Sequence, residues 1–139
     1  MPINVTAIPG LPDHVNDVRL RTAAFINAEI LPRESELFVR RRGAAVTPDQ
    51  LENAKVLRQE IKEKVKAAGL WAPHLPGEYG GMGLDFLAHA YMNEILAYAM
   101  GAASLFGVVA PNSGNQKILL KYGTEEQKRK WLLPLVEGT

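Results

Sequence analysis

The absence of a strand pattern is the sequence feature that most constrains how this 139-residue chain can fold. Nowhere do β-branched residues alternate with polar ones, as they would in a strand that buries one face. Apolar residues instead recur at helical spacing after recognisable start signals, and four or five helices can be placed in this way. Hydrophobic residues make up 47% of the chain, which is enough for one core. The sequence therefore predicts an all-α protein with a single globular domain.

Two of the start signals are capping boxes, at residues 47–50 and 124–127. In each box a threonine side chain can accept from the amide three residues on, while a glutamine side chain reaches back to the threonine amide. The helix that begins at the first box is predicted to end at Gly69, and the second box begins the last helix. An earlier helix is predicted to start at a capping Asp13 and to stop at Pro32.

A loop and two further helices are predicted between these boxes. Residues 70–84 contain two prolines and four glycines, so they are predicted to form a loop whose apolar side chains pack onto the domain. A helix starting near Asp85 is apolar nearly all round and is predicted to be the most buried, with Glu94 as a carboxylate partnered inside the core. A short helix follows, with Asn112 as its cap and Gly123 after its end.

Charge and composition exclude several classes of function. The formal net charge is +1, which gives no basic surface for nucleic acid, and there is no cysteine for a thiolate metal site or a nucleophile. The three histidines, at positions 14, 74 and 89, lack the spacing of a helical metal motif. Residues 40–42 are three arginines, but acidic residues nearby favour a solvated linker. We therefore predict neither a bound metal nor a nucleic-acid partner.

Signals for secretion and for membrane insertion are missing from the sequence. The N-terminus has no basic segment followed by a long apolar run, and prolines at positions 2 and 9 interrupt it. The most apolar stretch, residues 95–110, is shorter than the roughly 20 residues that a spanning helix needs. These features predict a cytoplasmic protein with no membrane span.

No catalytic constellation can be recognised from residue types and spacing. The glycines at positions 80, 81 and 83 do not have the spacing of a dinucleotide-binding fingerprint, so they are interpreted as a turn. Ser113 lacks the strand and the glycine that precede a nucleophile elbow, so a role at the start of a helix is favoured. The residues by themselves predict a helical domain and leave its function open.

Two motifs carry a resemblance to a known family. The first is Pro-Gly-Glu-Tyr-Gly-Gly-Met-Gly-Leu-Asp at residues 76–85; the second is Tyr-Gly-Thr-Glu-Glu-Gln-Lys at residues 122–128, followed by Trp-Leu-Leu-Pro-Leu at residues 131–135. With these motifs in this order, residues 13–138 resemble the N-terminal domain of acyl-CoA dehydrogenases. Residues 1–12 are interpreted as an N-terminal extension. Residues 110–115 resemble the branch of the family whose larger members can be fused to a kinase-like domain.

The resemblance implies an orthogonal bundle of about five to six helices, the first of the family's three domains. This chain would then lack the middle β-domain and the C-terminal four-helix bundle. The parent enzyme would be an FAD-dependent homo-oligomer, a dimer or a tetramer, that oxidises the α,β bond of a fatty acyl-CoA to the trans-2-enoyl-CoA. An electron-transfer flavoprotein would reoxidise its flavin. The enzyme would lie in the bacterial cytoplasm or, in a eukaryote, in mitochondria or peroxisomes.

The resemblance also limits which roles this chain can inherit. The family's catalytic glutamate belongs to the C-terminal bundle and most flavin contacts belong to the middle domain. No residue here is therefore assigned a catalytic or cofactor-binding role, and the chain on its own is expected to be inactive. A second interpretation stays open, in which the chain is a non-catalytic helical module that binds an acyl chain or a protein partner.

Part of the acyl-chain pocket is implied in the segment before the second motif. Counting back from Gly123 places the pocket wall at Phe106, Gly107, Ala110, Pro111 and Gly114, with Tyr98 and Met100 nearby as secondary candidates. Small residues there would leave room for a long or branched acyl chain. Ordinary close packing between helices uses small residues equally well, so both explanations remain open.

Overall fold

The computed structural model describes residues 1–39 and 45–138, and within these ranges the chain is helical with no strand. The all-α prediction is confirmed. In chain order the helical elements are α1 (Asp13–Phe25), a π turn (Ile26–Ile30), a 3-10 turn (Leu31–Arg33), α2 (Glu34–Leu37), α3 (Pro48–Ala67), a 3-10 turn (Gly77–Tyr79), α4 (Phe86–Leu96), α5 (Ala102–Leu105), α6 (Asn112–Tyr122), α7 (Glu125–Gln127), a second π turn (Lys128–Leu132) and α8 (Leu133–Glu137). The arginine linker predicted at residues 40–42 lies outside the described residues.

One hydrophobic core joins these elements. α1 packs against α4, α2 packs against α3, and α6 packs against the second π turn and α8. The loop of residues 70–84 packs onto the core as predicted, because its side chains Leu70, Trp71 and Leu75 are buried there. None of the helices within residues 1–39 and 45–138 combines the length and the apolar character that crossing a membrane requires.

Both predicted capping boxes are present. Thr47 Oγ1 accepts from the Gln50 amide at 3.3 Å, and the Thr47 amide donates to Gln50 Oε1 at 3.0 Å. The box at residues 124–127 repeats this pair of bonds. The predicted caps Asp13 and Asn112 are wrong by one position, because each is the first helical residue and a proline precedes it. A proline suits that place, since it has no amide proton that needs a partner.

Pro32 does not stop the first helix, contrary to the sequence prediction. The Leu31 amide donates to the carbonyl five residues back, so a π turn precedes the proline and the chain continues through a 3-10 turn into α2. Pro134 is preceded in the same way, with the Leu133 amide donating to the Lys128 carbonyl. A proline inside an α-helix collides with the carbonyl four residues back, and the wider π turn relieves that collision.

α4, which the sequence predicts to be the most buried helix, buries only one face. Its buried residues are Ala88, Met92, Ile95 and Leu96. They are three or four positions apart or adjacent, so they form one face of the helix. Phe86 at the start of α4 is 89% exposed. Glu94 is also exposed, so the prediction of a carboxylate partnered inside the core is wrong.

Residues 3–8 form an extended segment that lies along α1 and the π turn after it. Asn27 Oδ1 accepts from the Ile3 amide and its Nδ2 donates to the Ile3 carbonyl, both at 2.8 Å. Asn16 makes the same pair of bonds to Ile8, at 2.8 and 3.1 Å. Arg19, which is buried, donates at 2.9 Å to a carbonyl between these two points. The asparagine side chains thus satisfy backbone groups that a neighbouring strand would satisfy in a sheet.

Candidate functional site

The candidate acyl wall, residues 98–114, runs from the turn after α4 through α5 into the first turn of α6. These residues include no charged side chain and no histidine. A segment of this composition can line an apolar cavity, and it supplies neither a carboxylate nor an imidazole for proton transfer.

Five of the seven predicted wall residues lie on the surface. Tyr98, Met100, Ala110, Pro111 and Gly114 are all exposed. The peptide bond between Ala110 and Pro111 is cis, and α6 begins at the next residue. A Cβ atom built on Gly114 would meet no other atom within 4 Å. These five residues therefore face space in which a ligand can contact them.

The other two predicted wall residues, Phe106 and Gly107, pack against the interior of the domain. Phe106 is 0% exposed, and its ring lies edge-on to that of Phe25 with centroids 5.5 Å apart. Gly107 has φ +75°, and a Cβ atom there would lie 3.2 Å from the Trp71 ring. In the described residues these two positions lie between the five exposed wall residues and the core. Their place in a pocket wall stays a prediction.

Two clefts border the candidate wall. A cleft of ≈ 440 Å³ is lined by Met100 and Val108 together with residues at the end of α4. A second cleft, of ≈ 860 Å³, separates α3 from the segment that contains Leu105 and Val109. Val56 on α3 faces this second cleft and is exposed, so part of its surface is apolar. The wall segment thus borders two concave surfaces.

The structure brings together two histidines that the sequence leaves scattered. The rings of His74, in the loop, and His89, in the first turn of α4, have centroids 6.0 Å apart and planes inclined by 24°. His74 Nε2 lies 2.7 Å from Oε1 of Gln116, which is 2% exposed and donates through Nε2 to the Leu135 carbonyl at 2.8 Å. Fourteen residues, which include a 3-10 turn, separate the two histidines, so no spacing rule could have revealed this pair.

Burial is the main cause that lowers the pKa of both imidazoles. The Lys117 ammonium lowers each pKa further, and His74 also lowers that of His89. The hydrogen bond to Gln116 acts in the opposite direction on the pKa of His74, but it ranks below burial. Both rings therefore favour the neutral state more than a solvated histidine does.

The third histidine joins the starts of two helices at the surface. His14 Nε2 lies 2.8 Å from Asp85 Oδ2, and both side chains are more than half exposed. Asp85 also caps α4, since its Oδ1 accepts from the Ala88 amide at 2.8 Å. That amide is the first cause of the lowered pKa of Asp85, and the contact with His14 is the second. Across the described part of the chain, no group of three potential metal ligands converges.

The fold and this site define a helical domain that presents an uncharged segment beside two clefts. Residues 13–139 match the family model described as acyl-CoA dehydrogenase, N-terminal domain. The chain belongs to this family, and the resemblance inferred from the two sequence motifs is confirmed.

Similar proteins carry corresponding names. Acyl-CoA dehydrogenase family member 10 of Mus musculus is 37% identical over 93% of this chain and 12% of its own length. The probable acyl-CoA dehydrogenase FadE2 of Mycobacterium tuberculosis is 32% identical over 88% of this chain and 29% of its own length. A solved structure of a provisionally named acyl-CoA dehydrogenase from Mycobacterium abscessus matches with TM-score 0.79 and 32% identity, over 91% of this chain and 32% of that one. This chain thus spans a third or less of the length of these relatives.

Proposed function

We propose that this chain supplies part of the acyl-chain pocket of an FAD-dependent acyl-CoA dehydrogenase. The observation that carries the proposal is the family match over residues 13–139. The exposed, uncharged segment of residues 98–114 supports it, because an acyl chain is bound by apolar surface that excludes water. In the whole enzyme the substrate would be a fatty acyl-CoA and the product the trans-2-enoyl-CoA. The enzyme would be a homo-oligomer whose electrons leave through an electron-transfer flavoprotein.

The flavin does not fit the candidate wall itself. FAD carries a diphosphate, which proteins hold with cationic side chains or with amides at the start of a helix that follows a glycine-rich turn. Residues 98–114 include no cationic side chain, and the start of α6 among them follows Ala110 and Pro111 instead of a glycine-rich turn, so these residues suit the apolar part of a substrate. We therefore assign this chain to the acyl side of the site and derive no redox step from its residues.

The contribution of the chain's own residues is to bind and to shield the acyl group. Ala110 and Gly114 are small and exposed, so they leave room beside the backbone for methylene groups. Met100 and Val108 extend this apolar surface into the neighbouring cleft. Excluding water from the acyl chain would also strengthen the electrostatic interactions at the reacting carbons.

The proposed function is tested on the protein expressed from its full reading frame. We expect it to purify with bound flavin, whose visible absorption is bleached when a saturated acyl-CoA is added without oxygen. The assay should use a series of acyl-CoA thioesters from short to long, together with the matching free fatty acids. A protein that carries no flavin and yet binds an acyl chain would contradict the dehydrogenase proposal and favour the non-catalytic module.

Replacing Ala110 by leucine in that protein should shift the preference for acyl chain length. The larger side chain would occupy pocket volume, and one extra or missing methylene group in a hydrophobic pocket changes kcat/KM by about 10- to 200-fold. We expect kcat/KM to fall for long acyl-CoA substrates and to change little for short ones. Ala90→Leu is the matched control, because Ala90 is also exposed but lies on α4, outside the wall segment. A length profile that Ala110→Leu leaves unchanged, or that Ala90→Leu changes equally, would remove Ala110 from the wall.

A further inference from the structure

The hydrogen bond between His74 and Gln116 has a fixed direction. Gln116 Nε2 donates to the Leu135 carbonyl, which can only accept, so the side-chain oxygen of Gln116 faces His74. His74 Nε2 must therefore carry the proton that it donates at 2.7 Å. In the neutral ring the other nitrogen, Nδ1, is then a lone-pair acceptor.

One nitrogen on each ring is buried without a partner among the described residues. These atoms are His74 Nδ1 and His89 Nε2. In the neutral ring such a nitrogen is an unpaired acceptor, and leaving it unpaired costs less than leaving a charged donor unpaired. A proton added to His74 Nδ1 would be a buried charged donor with no acceptor, which is much more costly.

Neighbouring charges give a proton on the pair little compensation. The charged and titratable groups on the elements around it are Lys117, Lys121 and Tyr122 on α6, Glu78 and Tyr79 in the loop, Asp85 just before α4, Tyr91 and Glu94 on α4, Asp13, His14, Asp17, Arg19 and Arg21 on α1, Lys128, Arg129 and Lys130 before α8, and Glu137 on α8. Lys117 acts on both imidazoles and has the same sign as the added proton. Asp85, at the start of α4, is already engaged by His14 and by the Ala88 amide.

We infer that His74 and His89 form a proton-sensitive latch, which holds the loop of residues 73–84 against α4 and α6 while both rings are neutral and releases it when a ring is protonated. The His74–Gln116 bond ties the loop to α6, and the contact with His89 ties it to α4. The loop's own bonds, such as Gly83 amide to Leu75 carbonyl at 2.8 Å, close it on itself and do not reach either helix. Protonation would therefore loosen the loop from α4 and α6 and open its internal bonds to water, while buried Leu75 still anchors its first turn in the core.

This latch acts in a defined pH range. Both pKa values lie below the ordinary histidine value of 6.5 in the folded chain. As pH falls through 6.5, the unfolded or released state takes up protons before the latched state does, so the latched state loses stability. The loss continues until pH falls below the pKa values of the latched rings. Well above pH 6.5 the rings are neutral in both states and stability no longer depends on them.

The test combines two measurements on the wild-type chain between about pH 8 and about pH 5. Nuclear magnetic resonance of the imidazole carbons gives the pKa of each histidine, and amide hydrogen exchange gives protection factors for Met82, Gly83 and Leu84. We expect His74 and His89 to titrate below 6.5, the ordinary histidine value, and protection of the loop amides to fall at least tenfold at the acidic end. Protection in α3 should change much less. Titration of His74 and His89 at or above 6.5, or loop protection that stays constant while His74 and His89 become protonated, would overturn the latch.

Two variants separate the latch from a general effect of acid. His89→Phe keeps an aromatic ring beside His74 but removes one titrating group, so the acid-induced loss of loop protection should shrink. His14→Gln removes a histidine of the exposed surface pair and should leave that loss unchanged. An equal effect of both variants would contradict the proposal. Should His89→Phe fold poorly, the wild-type titration and exchange data still decide the question.

Discussion

Replacing Trp71 by alanine is expected to destabilise the domain by about 3–5 kcal/mol, as for other large aromatic residues removed from a core. Trp71 is 6% exposed, and its Nε1 donates to the Val136 carbonyl at 2.8 Å. Its ring also packs against Gly107 and Gly138, where a Cβ atom would lie 3.2 Å from it. Truncation would leave a cavity between the loop, the wall segment and the end of α8. Urea unfolding followed by circular dichroism measures the effect.

The chain offers its own control for this substitution. Trp131 is 54% exposed, and the Lys130 ammonium lies 4.9 Å from the centroid of its ring. We expect Trp131→Ala to change the free energy of unfolding by no more than about 1 kcal/mol, the value of an exposed cation–π contact. Trp71→Phe should fall between the two, because it keeps most of the packing and leaves the Val136 carbonyl without its donor. Equal losses for Trp71→Ala and Trp131→Ala would show that the contacts of Trp71 do not hold the core.

Gly81→Ala is the second substitution with a large expected effect. A Cβ atom at this position would overlap the Leu75 carbonyl oxygen and would lie 2.6 Å from that of Ala72. Both are backbone atoms, so relief requires the loop to move, and we expect a loss of about 2–3 kcal/mol in the free energy of unfolding. Gly77→Ala is the control in the same loop, since no atom lies within 4 Å of its Cβ and its φ is not positive.

Denaturant unfolding of both glycine variants checks this prediction. Gly77→Ala should stay within about 0.5 kcal/mol of the wild type, as is usual for surface substitutions. If Gly81→Ala were equally mild, the loop would have to pack more loosely than the structure shows. The result bears on the first sequence motif, because it would give a steric reason for one of its glycines.

Features that depend on a few neighbouring residues could be predicted from the sequence. The two capping boxes need a threonine and a glutamine three residues apart, and both are present. The loop of residues 70–84 could be predicted because its prolines and glycines disfavour helices and strands wherever they occur. Its burial followed from the apolar side chains between them.

Features that depend on distant parts of the chain could not be predicted. Glu94 is exposed because α4 buries one face, and composition does not say which face meets a neighbour. The resemblance located the candidate wall, but the contrast between buried Phe106 and exposed Ala110 depends on how the whole segment packs. The histidine pair joins a loop to a helix, and such a contact leaves no periodic signal in the sequence.

The two π turns bear on how relatives of this chain should be aligned. A π turn holds about one residue more than the α-helical turn that it replaces, so it rotates the following residues by about 100° around the helix axis. Loss of that residue together with the proline would restore an unbroken helix and turn its other side toward the core. When homologues that lack a proline at position 32 or 134 are aligned with this chain, they should therefore show a one-residue gap just before that position. If the sequences with the proline always have the extra residue and those without the proline always lack it, the two were inherited together.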